Sequence, residues 1–382
     1  MRTILSKSVL IVCFLFGTYA QALVIDFYGH TLDIETSGLN RIQTPGYISK
    51  NNLSSLLYRL ESKDHNNMLS QVYDAQVSYG LDDMGMVLLT KKITKEVSPS
   101  RNTRNLLQFF ILDQLGYDVK LTYTKTSVSC FGLLDDRPAA SIYIYQDGKR
   151  YTNLDFHDTR VMGTRYLYRS ASSNGRTIQF TGALPKVDAK LSNRSFKWFF
   201  QGKLYQLEAT NNQSFTEYLN DLPQFQLGKD YTGVSHSSEF ASTVLNPLKN
   251  YMEDMTSLEQ KANFLLNFVQ SSFSYKTDQD QYGREKYNYP EETLSSSYSD
   301  CEDRTILLAY LYQELLGLES VILHFKKEKH VCLGLKLPHR SNSYSFKYRD
   351  AAFMVCEPTG RGYKVGDTAI GLHRISEVIE LY

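Results

Sequence analysis

Two stretches of this chain carry the same apolar pattern at one fixed offset, and no other feature narrows the possible folds as much. Leu106 to Tyr117 lies against Leu307 to Leu318 without a gap, so Leu106 falls on Leu307 and Gly116 on Gly317, 201 residues apart in both cases. Apolar residues at three- and four-residue spacing, closed by glycine, predict a helix with a left-handed exit. An alternating strand follows each one, Val119 to Tyr123 and Val321 to Phe325. The match runs backward too, with Ser78-Tyr79, Asp82-Asp83 and Gly85 echoing Ser274-Tyr275, Asp278, Asp280 and Gly283. It also runs forward, where Ile142 to Tyr145, a turn over Gln146 to Lys149 and Tyr151 to Asp155 mirror the final hairpin that leads into Glu357. The fold class expected is α+β, built as an internal duplication with units at 23–160 and 236–382.

Between them, Arg165 to Tyr168, Arg176 to Phe180, and Ser195 to Phe200 with Lys203 to Leu207 alternate as strands. Gln201-Gly202 makes the last pair a hairpin. Residues 161–235 are therefore expected to form a small antiparallel β module with Trp198 on its inner face. Helical spacing returns at Leu245 to Met255 and Leu258 to Phe273, and a polar, tyrosine-rich loop is expected from Lys276 to Ser299.

The second helix opens with chemistry. In Ser299-Asp300-Cys301-Glu302-Asp303-Arg304-Thr305, Ser299 or Asp300 caps the helix and Cys301 lies on its first turn. A thiol there meets the positive end of the helix dipole, which is expected to lower its pKa and expose a nucleophilic thiolate. A histidine opens a downstream strand at His330, and a carboxylate closes another at Glu357, followed by Pro358 and Thr359. Cys332 shares the face of His330, whereas Cys356 points away from Glu357, so these two thiols are expected to be free.

Asp-Cys-x-Asp, then a histidine on the next strand pair, then acid-x-Thr, resembles secreted bacterial transglutaminase-like domains of the papain-type fold. The resemblance covers about Leu248 to the C-terminus. It implies a thioester mechanism with Cys301 as nucleophile, His330 as base and Glu357 as the orienting acid, where the family usually has aspartate. His324 and His339 are rivals for the base and Asp350 for the acid. It also implies an oxyanion donor preceding the nucleophile, for which Tyr287 and Tyr289 are the candidates. At the same offset the first unit places Ser100 against Cys301 and Ser129 against His330, a copy without the chemistry.

Met1 to Ala22 has basic Arg2 and Lys7, an apolar run from Val9 to Phe16 and a small-x-small Ala20-Gln21-Ala22, the pattern of a secretory signal peptide spanning 1–22. The product is expected to be exported, periplasmic or extracellular, without a transmembrane helix. Cys13 lies inside the apolar run, which argues against its lipidation. Lys and Arg total 42 against 41 Asp and Glu, so no net field favours nucleic acid or anionic lipid. The remaining cysteines, Cys130, Cys301, Cys332 and Cys356, form no metal-type pairs, and neither a metal nor a cofactor is expected. The function expected is an amidohydrolase or peptidase on peptide, isopeptide or cell-wall-type amides. A non-catalytic scaffold of two such folds is the alternative, and amine-transferring cross-linking a further one. Oligomeric state is not legible.

Overall fold

The computed structural model describes residues 22–135, 138–139, 142–156, 164–168, 175–337, 344–368 and 370–381. The signal-peptide reading of residues 1–22 therefore lies outside the described residues except for Ala22, and His339 lies outside them as well. Among the described residues no helix is long and apolar enough to cross a membrane.

The first half opens with a hairpin, β1 (Ala22–Phe27) and β2 (His30–Glu35), and four helices, α1 (Lys50–Glu61), α2 (Asn66–Tyr79), α3 (Asp83–Val97) and α4 (Arg101–Gln114). Strands β3 (Val119–Tyr123), β4 (Val128–Leu133), β5 (Tyr143–Gln146), β6 (Lys149–Asn153) and β7 (Tyr166–Tyr168) follow. A long hairpin, β8 (Leu191–Phe200) and β9 (Lys203–Asn212), leads to α5 (Gln213–Asp221) and the short α6 (Lys229–Thr232) and α7 (Ser238–Phe240). A π-helical turn at Ala241–Leu245 runs into α8 (Asn246–Tyr251), and α9 (Leu258–Ser272) comes next. Then come β10 (Ser274–Tyr275), α10 (Asp278–Tyr282), α11 (Pro290–Ser295), β11 (Tyr298–Ser299) and α12 (Cys301–Leu316). The chain ends with β12 (Ser320–Phe325), β13 (His330–Leu335), β14 (Ser345–Tyr348), β15 (Ala351–Cys356) and β16 (Glu377–Glu380).

This is a mixed α+β structure with two curled half-barrel sheets. The sheets follow one path: β5-β6-β4-β3-β7 and β14-β15-β13-β12-β16, antiparallel throughout. Each packs behind a helix that exits through a left-handed glycine, Gly116 at φ +83° and Gly317 at φ +63°. Equivalent glycines sit in the second strand of each sheet, Gly132 opposite Val119 and Gly334 opposite Val321. A Cβ at Gly132 would meet Ile178 at 2.6 Å and one at Gly334 would meet Phe346 at 2.8 Å, so at both places a side chain would force a packed neighbour to move.

Strand register corrects the expected residue equivalences. The turn after α4 closes with Tyr117 N–H on the Leu112 carbonyl, whereas after α12 it is Leu318 N–H on Tyr312, one residue longer. The frame slips accordingly. Val128, paired with Tyr123, and not Ser129, stands where His330 pairs with Phe325. Opposite Gly132 and Gly334 lie Thr152 and Val355, so Leu154 stands in the place of Glu357. Both Val128 and Leu154 are buried.

The described residues of 161–235 do not gather into one separate module as expected. Strand β7 completes the first sheet as an edge beside β3, and Arg176 and Ile178 bridge in parallel to Tyr117 and Leu134. The β8–β9 hairpin, turning at Gln201 (φ +50°) and Gly202 (φ +80°), serves the second half instead. Trp198 stacks on Tyr205 at 5.6 Å and packs on Phe268 of α9 at 4.9 Å. Apolar burial decided where these strands went, because their alternation says that one face is covered but not by what.

The expected loop from Lys276 to Ser299 is largely structured. Thr277 caps α10, Pro290 starts α11, and Lys286, Asn288, Glu291 and Glu292 are buried. Hydrogen bonding among these polar residues offsets the cost of taking them out of water.

Candidate active site

Asp300 caps α12 in an extended conformation, and its Oδ1 accepts the Asp303 N–H at 3.2 Å. That places Cys301 at the first helical position, only 3 % exposed. Its Sγ donates to Glu302 Oε2 at 2.9 Å and accepts from the Val331 N–H. The sulfur therefore lies at the start of β13, beside His330 in sequence.

Electrostatics here run against the expected activation. Burial, then the Glu302 charge and its hydrogen bond, then Asp300, push the thiol pKa up, with only the Val331 N–H opposing them in part. Helix N-termini do favour thiolates, but this first turn carries Glu302 and Asp303 behind an Asp cap. In this arrangement the thiol is held neutral.

His330 and Glu357 come together. His330 Nε2 lies 2.7 Å from Glu357 Oε2, leaving Nδ1 as the ring nitrogen for another partner. Burial works against the charged imidazole, but the Glu357 hydrogen bond and charge, with Glu302 behind them, outweigh it and raise its pKa. Glu357 is fixed from its other oxygen: Oε1 accepts the Thr359 N–H at 2.9 Å, and Oε2 reaches the ring. The acid-x-Thr spacing thus works through a backbone amide. Gln270 holds the same corner by donating to the Glu357 carbonyl at 2.8 Å.

Arg304, buried on the first turn of α12, ties the pieces together. It donates to Ser299 Oγ at 2.9 Å, to the Phe273 carbonyl at 3.0 Å and to the Thr359 carbonyl at 3.3 Å. The loop bearing Glu357 and the helix bearing Cys301 thereby share one guanidinium. Its role was missed because it reads as a surface charge beside Asp303.

The rivals lie elsewhere. His324 faces Glu377 at 3.9 Å on the β12–β16 side, and Asp350 is exposed in the β14–β15 turn. Cys332 and Cys356 are free and buried in different apolar clusters on opposite faces of the sheet.

The two oxyanion candidates diverge. Tyr287 is half-buried, and burial followed by the Glu302 charge raises its pKa to about 12, which puts its ring near the first turn. Tyr289 is packed into the core of the first half against Tyr231, ring centres 4.9 Å apart. A third tyrosine was overlooked. Tyr275 pairs with Ser299 across β10 and β11, and burial followed by Cys301 raises its pKa to about 12. A two-residue strand has too little pattern to be read from sequence.

Among the described residues, one acidic group, Asp278, Asp300 and Asp303, brings carboxylate oxygens within 4.8 Å of one another. Oxygen donors of this kind could hold a hard cation. They are already engaged by protein, however: Asp303 accepts from the Asn288 N–H and amide at 2.8 Å, and Asp278 from the Lys286 N–H at 2.7 Å. Burial, followed by mutual repulsion with Asp300, raises Asp278 to about 7; burial, followed by Glu302, does the same for Asp300. The group reads as a buried polar core beneath the helix cap, with burial pushing its carboxyl pKa values up. A scan against protein-family models finds no match for this chain, and a search of curated proteins finds none either.

Proposed function

We propose that the chain is a transglutaminase-like cysteine hydrolase that cleaves peptide, isopeptide or cell-wall-type amides, with Cys301, His330 and Glu357 as its catalytic residues. The observation that carries this reading is the 2.7 Å contact from His330 Nε2 to Glu357 Oε2, with Oε1 pinned by the Thr359 N–H. A carboxylate so held fixes the imidazole tautomer and stabilises its charged form. His330 takes the Cys301 proton, the thiolate attacks the carbonyl carbon, and the C–N bond breaks as the amine leaves with that proton. Water activated by His330 then hydrolyses the thioester. Tyr275 and Tyr287 are the candidate oxyanion donors.

In this reading residues 23–160 are a degenerate copy of the catalytic unit. The shared strand order and the paired glycines Gly132 and Gly334 support it, and Val128 and Leu154 in place of His330 and Glu357 account for the lost chemistry. Export after cleavage near Ala22 is part of the same proposal, as is the absence of nucleic-acid partners.

One observation favours the scaffold alternative: the thiol donates to Glu302 and is held neutral. Incubation with a fluorogenic peptide amide, quenched in acid and followed by mass spectrometry of the Cys301 peptide, separates the two. A thioester adduct with product release, absent in Cys301→Ala, is expected; no adduct and no release would leave the scaffold. Release without hydrolysis, in the presence of an added primary amine, would mark the cross-linker.

A further inference from the structure

A cavity of about 240 Å³ lies between α3 and α4, where Lys91, Lys95, Arg101 and Arg104 surround it with Asp155 as the one carboxylate of the lining. We propose that it binds a small phosphate-bearing anion, a free phosphate or a phosphomonoester. The proposal does not depend on the chemistry at Cys301.

Two helix faces build the site. Lys91, Thr94 and Lys95 recur at the three- and four-residue spacing of one α3 face, and Arg101, Arg104, Asn105 and Gln108 do the same on α4. Packed helices usually bring apolar stripes together, but this seam is polar down to its floor. Thr94, Asn105 and Gln108 are buried there and each is anchored. Gln108 Nε2 donates to the Val87 carbonyl at 3.2 Å, Asn105 Nδ2 to the Val128 carbonyl at 2.8 Å and Thr94 Oγ1 to the Lys91 carbonyl at 3.2 Å. With the floor so committed, the donors left for a ligand are those of the cations.

Those cations outnumber their partner. Arg101 donates from Nε and Nη2 to Asp155 Oδ2 at 3.0 and 2.6 Å, and Lys91 lies 3.7 Å from Oδ1 of the same carboxylate. Arg104 donates to the Pro99 carbonyl at 3.3 Å, and neither it nor Lys95 has a carboxylate partner among the described residues. Like charges gathered around one cavity repel, and an anion relieves that repulsion. The first turn of α4, which opens at Arg101, adds the positive end of the helix dipole. A phosphate carries up to two charges and several acceptor oxygens, so it answers two unpaired cations better than a lone carboxylate does, and its geometry suits the guanidinium fork.

The lining also limits what comes with the phosphate. The volume is below the ~300–1,000 Å³ usual for drug-sized ligands, and the lining holds neither an aromatic ring nor an apolar residue. A nucleobase has nothing to stack on and an acyl chain nothing to pack against, so only the phosphate and a short polar stem enter.

The test is calorimetric titration of the full chain with glycerol 3-phosphate, with glycerate as the carboxylate control, alongside co-sedimentation with phosphatidylcholine vesicles carrying phosphatidic acid. Saturable binding of glycerol 3-phosphate is expected, about tenfold or more tighter than glycerate and weakened by added salt. Arg104→Gln should weaken it by about tenfold, and Lys95→Gln, which alters an exposed side chain and keeps the test sound if the first variant fails to fold, should do the same. Sedimentation with the vesicles, lost in Lys95→Gln, places the phosphate on a lipid headgroup; titration without sedimentation makes its source soluble. The proposal is overturned by no binding in either arm with ligand up to ~10 mM, by equal affinity for glycerate, or by unchanged affinity in both variants. Loss of hydrolysis at Cys301 leaves this result untouched, so the two readings fail separately.

Discussion

His330 Nε2 and Glu357 Oε2 stand 2.7 Å apart across the ends of β13 and β15. Glutamate is one methylene longer than the aspartate usual in the family proposed for this chain. The corner absorbs that length because the carboxylate spans two partners, with the Thr359 N–H on one oxygen and the imidazole on the other.

Replacing Glu357 with Gln keeps the shape and removes the charge. Amide hydrolysis is expected to fall by about 10²–10⁴-fold, read as kcat/KM on a peptide amide. The same variant tests the histidine. Because Glu357 raises the His330 pKa above its ordinary 6.5, the pair stabilises the fold below that value and loses its effect as pH climbs through the folded-state value. The gap in Tm between wild type and Glu357→Gln should therefore be widest near about pH 6 and narrow as pH rises above the ordinary histidine range. A gap that grows with pH would show that the ring is not charged in the pair.

Glu302 governs the thiol. It accepts the Cys301 proton at 2.9 Å and disfavours the thiolate, so removing its charge should lower the thiol pKa. Alkylation of Cys301 by iodoacetamide at pH 7, followed by peptide mass spectrometry, should be slow in wild type and faster by about tenfold per unit of pKa in Glu302→Gln. Equal rates would mean that burial alone sets the reactivity.

Helix α12, its glycine exit and the strands that follow it are legible from local signals that the sequence displays, a cap, an apolar period and a turn, whereas the pairing of His330 with Glu357 is expected from the family resemblance. What stayed hidden was long-range. Neither Arg304 nor Tyr275 has a local pattern, since one acts by reaching Phe273 and Thr359 and the other by a two-residue parallel pairing with Ser299. The thiol was misread for a related reason. The helix dipole is visible from spacing, but the burial of Asp300, Asp303 and Cys301 together is not.

That burial makes the cap itself pH-sensitive. Asp300 has a folded pKa near 7 against an ordinary 3.8, so the folded state keeps a proton that the unfolded chain releases, and stability falls as pH rises from about 4 to about 7. Asparagine caps helices as well as aspartate does and carries no charge. Asp300→Asn is expected to change Tm little at about pH 4 and to raise it at about pH 8, on the order of 2–4 °C. A drop at the higher pH would show that the carboxylate is stabilising there, as a bound cation would make it.

The assignment of the β8–β9 hairpin to the second half rests on Trp198, 2 % exposed and packed against Phe268 of α9, while its neighbour Phe199 on the same strand is 67 % exposed. Alternation on a strand makes these two residues an internal control. Trp198→Ala leaves a cavity between hairpin and helix and is expected to cost about 3–5 kcal/mol. Phe199→Ala changes a solvent-facing side chain and should fall within about 0.5 kcal/mol of wild type. Urea unfolding followed by circular dichroism measures both. Similar costs at the two positions would mean that the hairpin stands free of α9, as a separate module would.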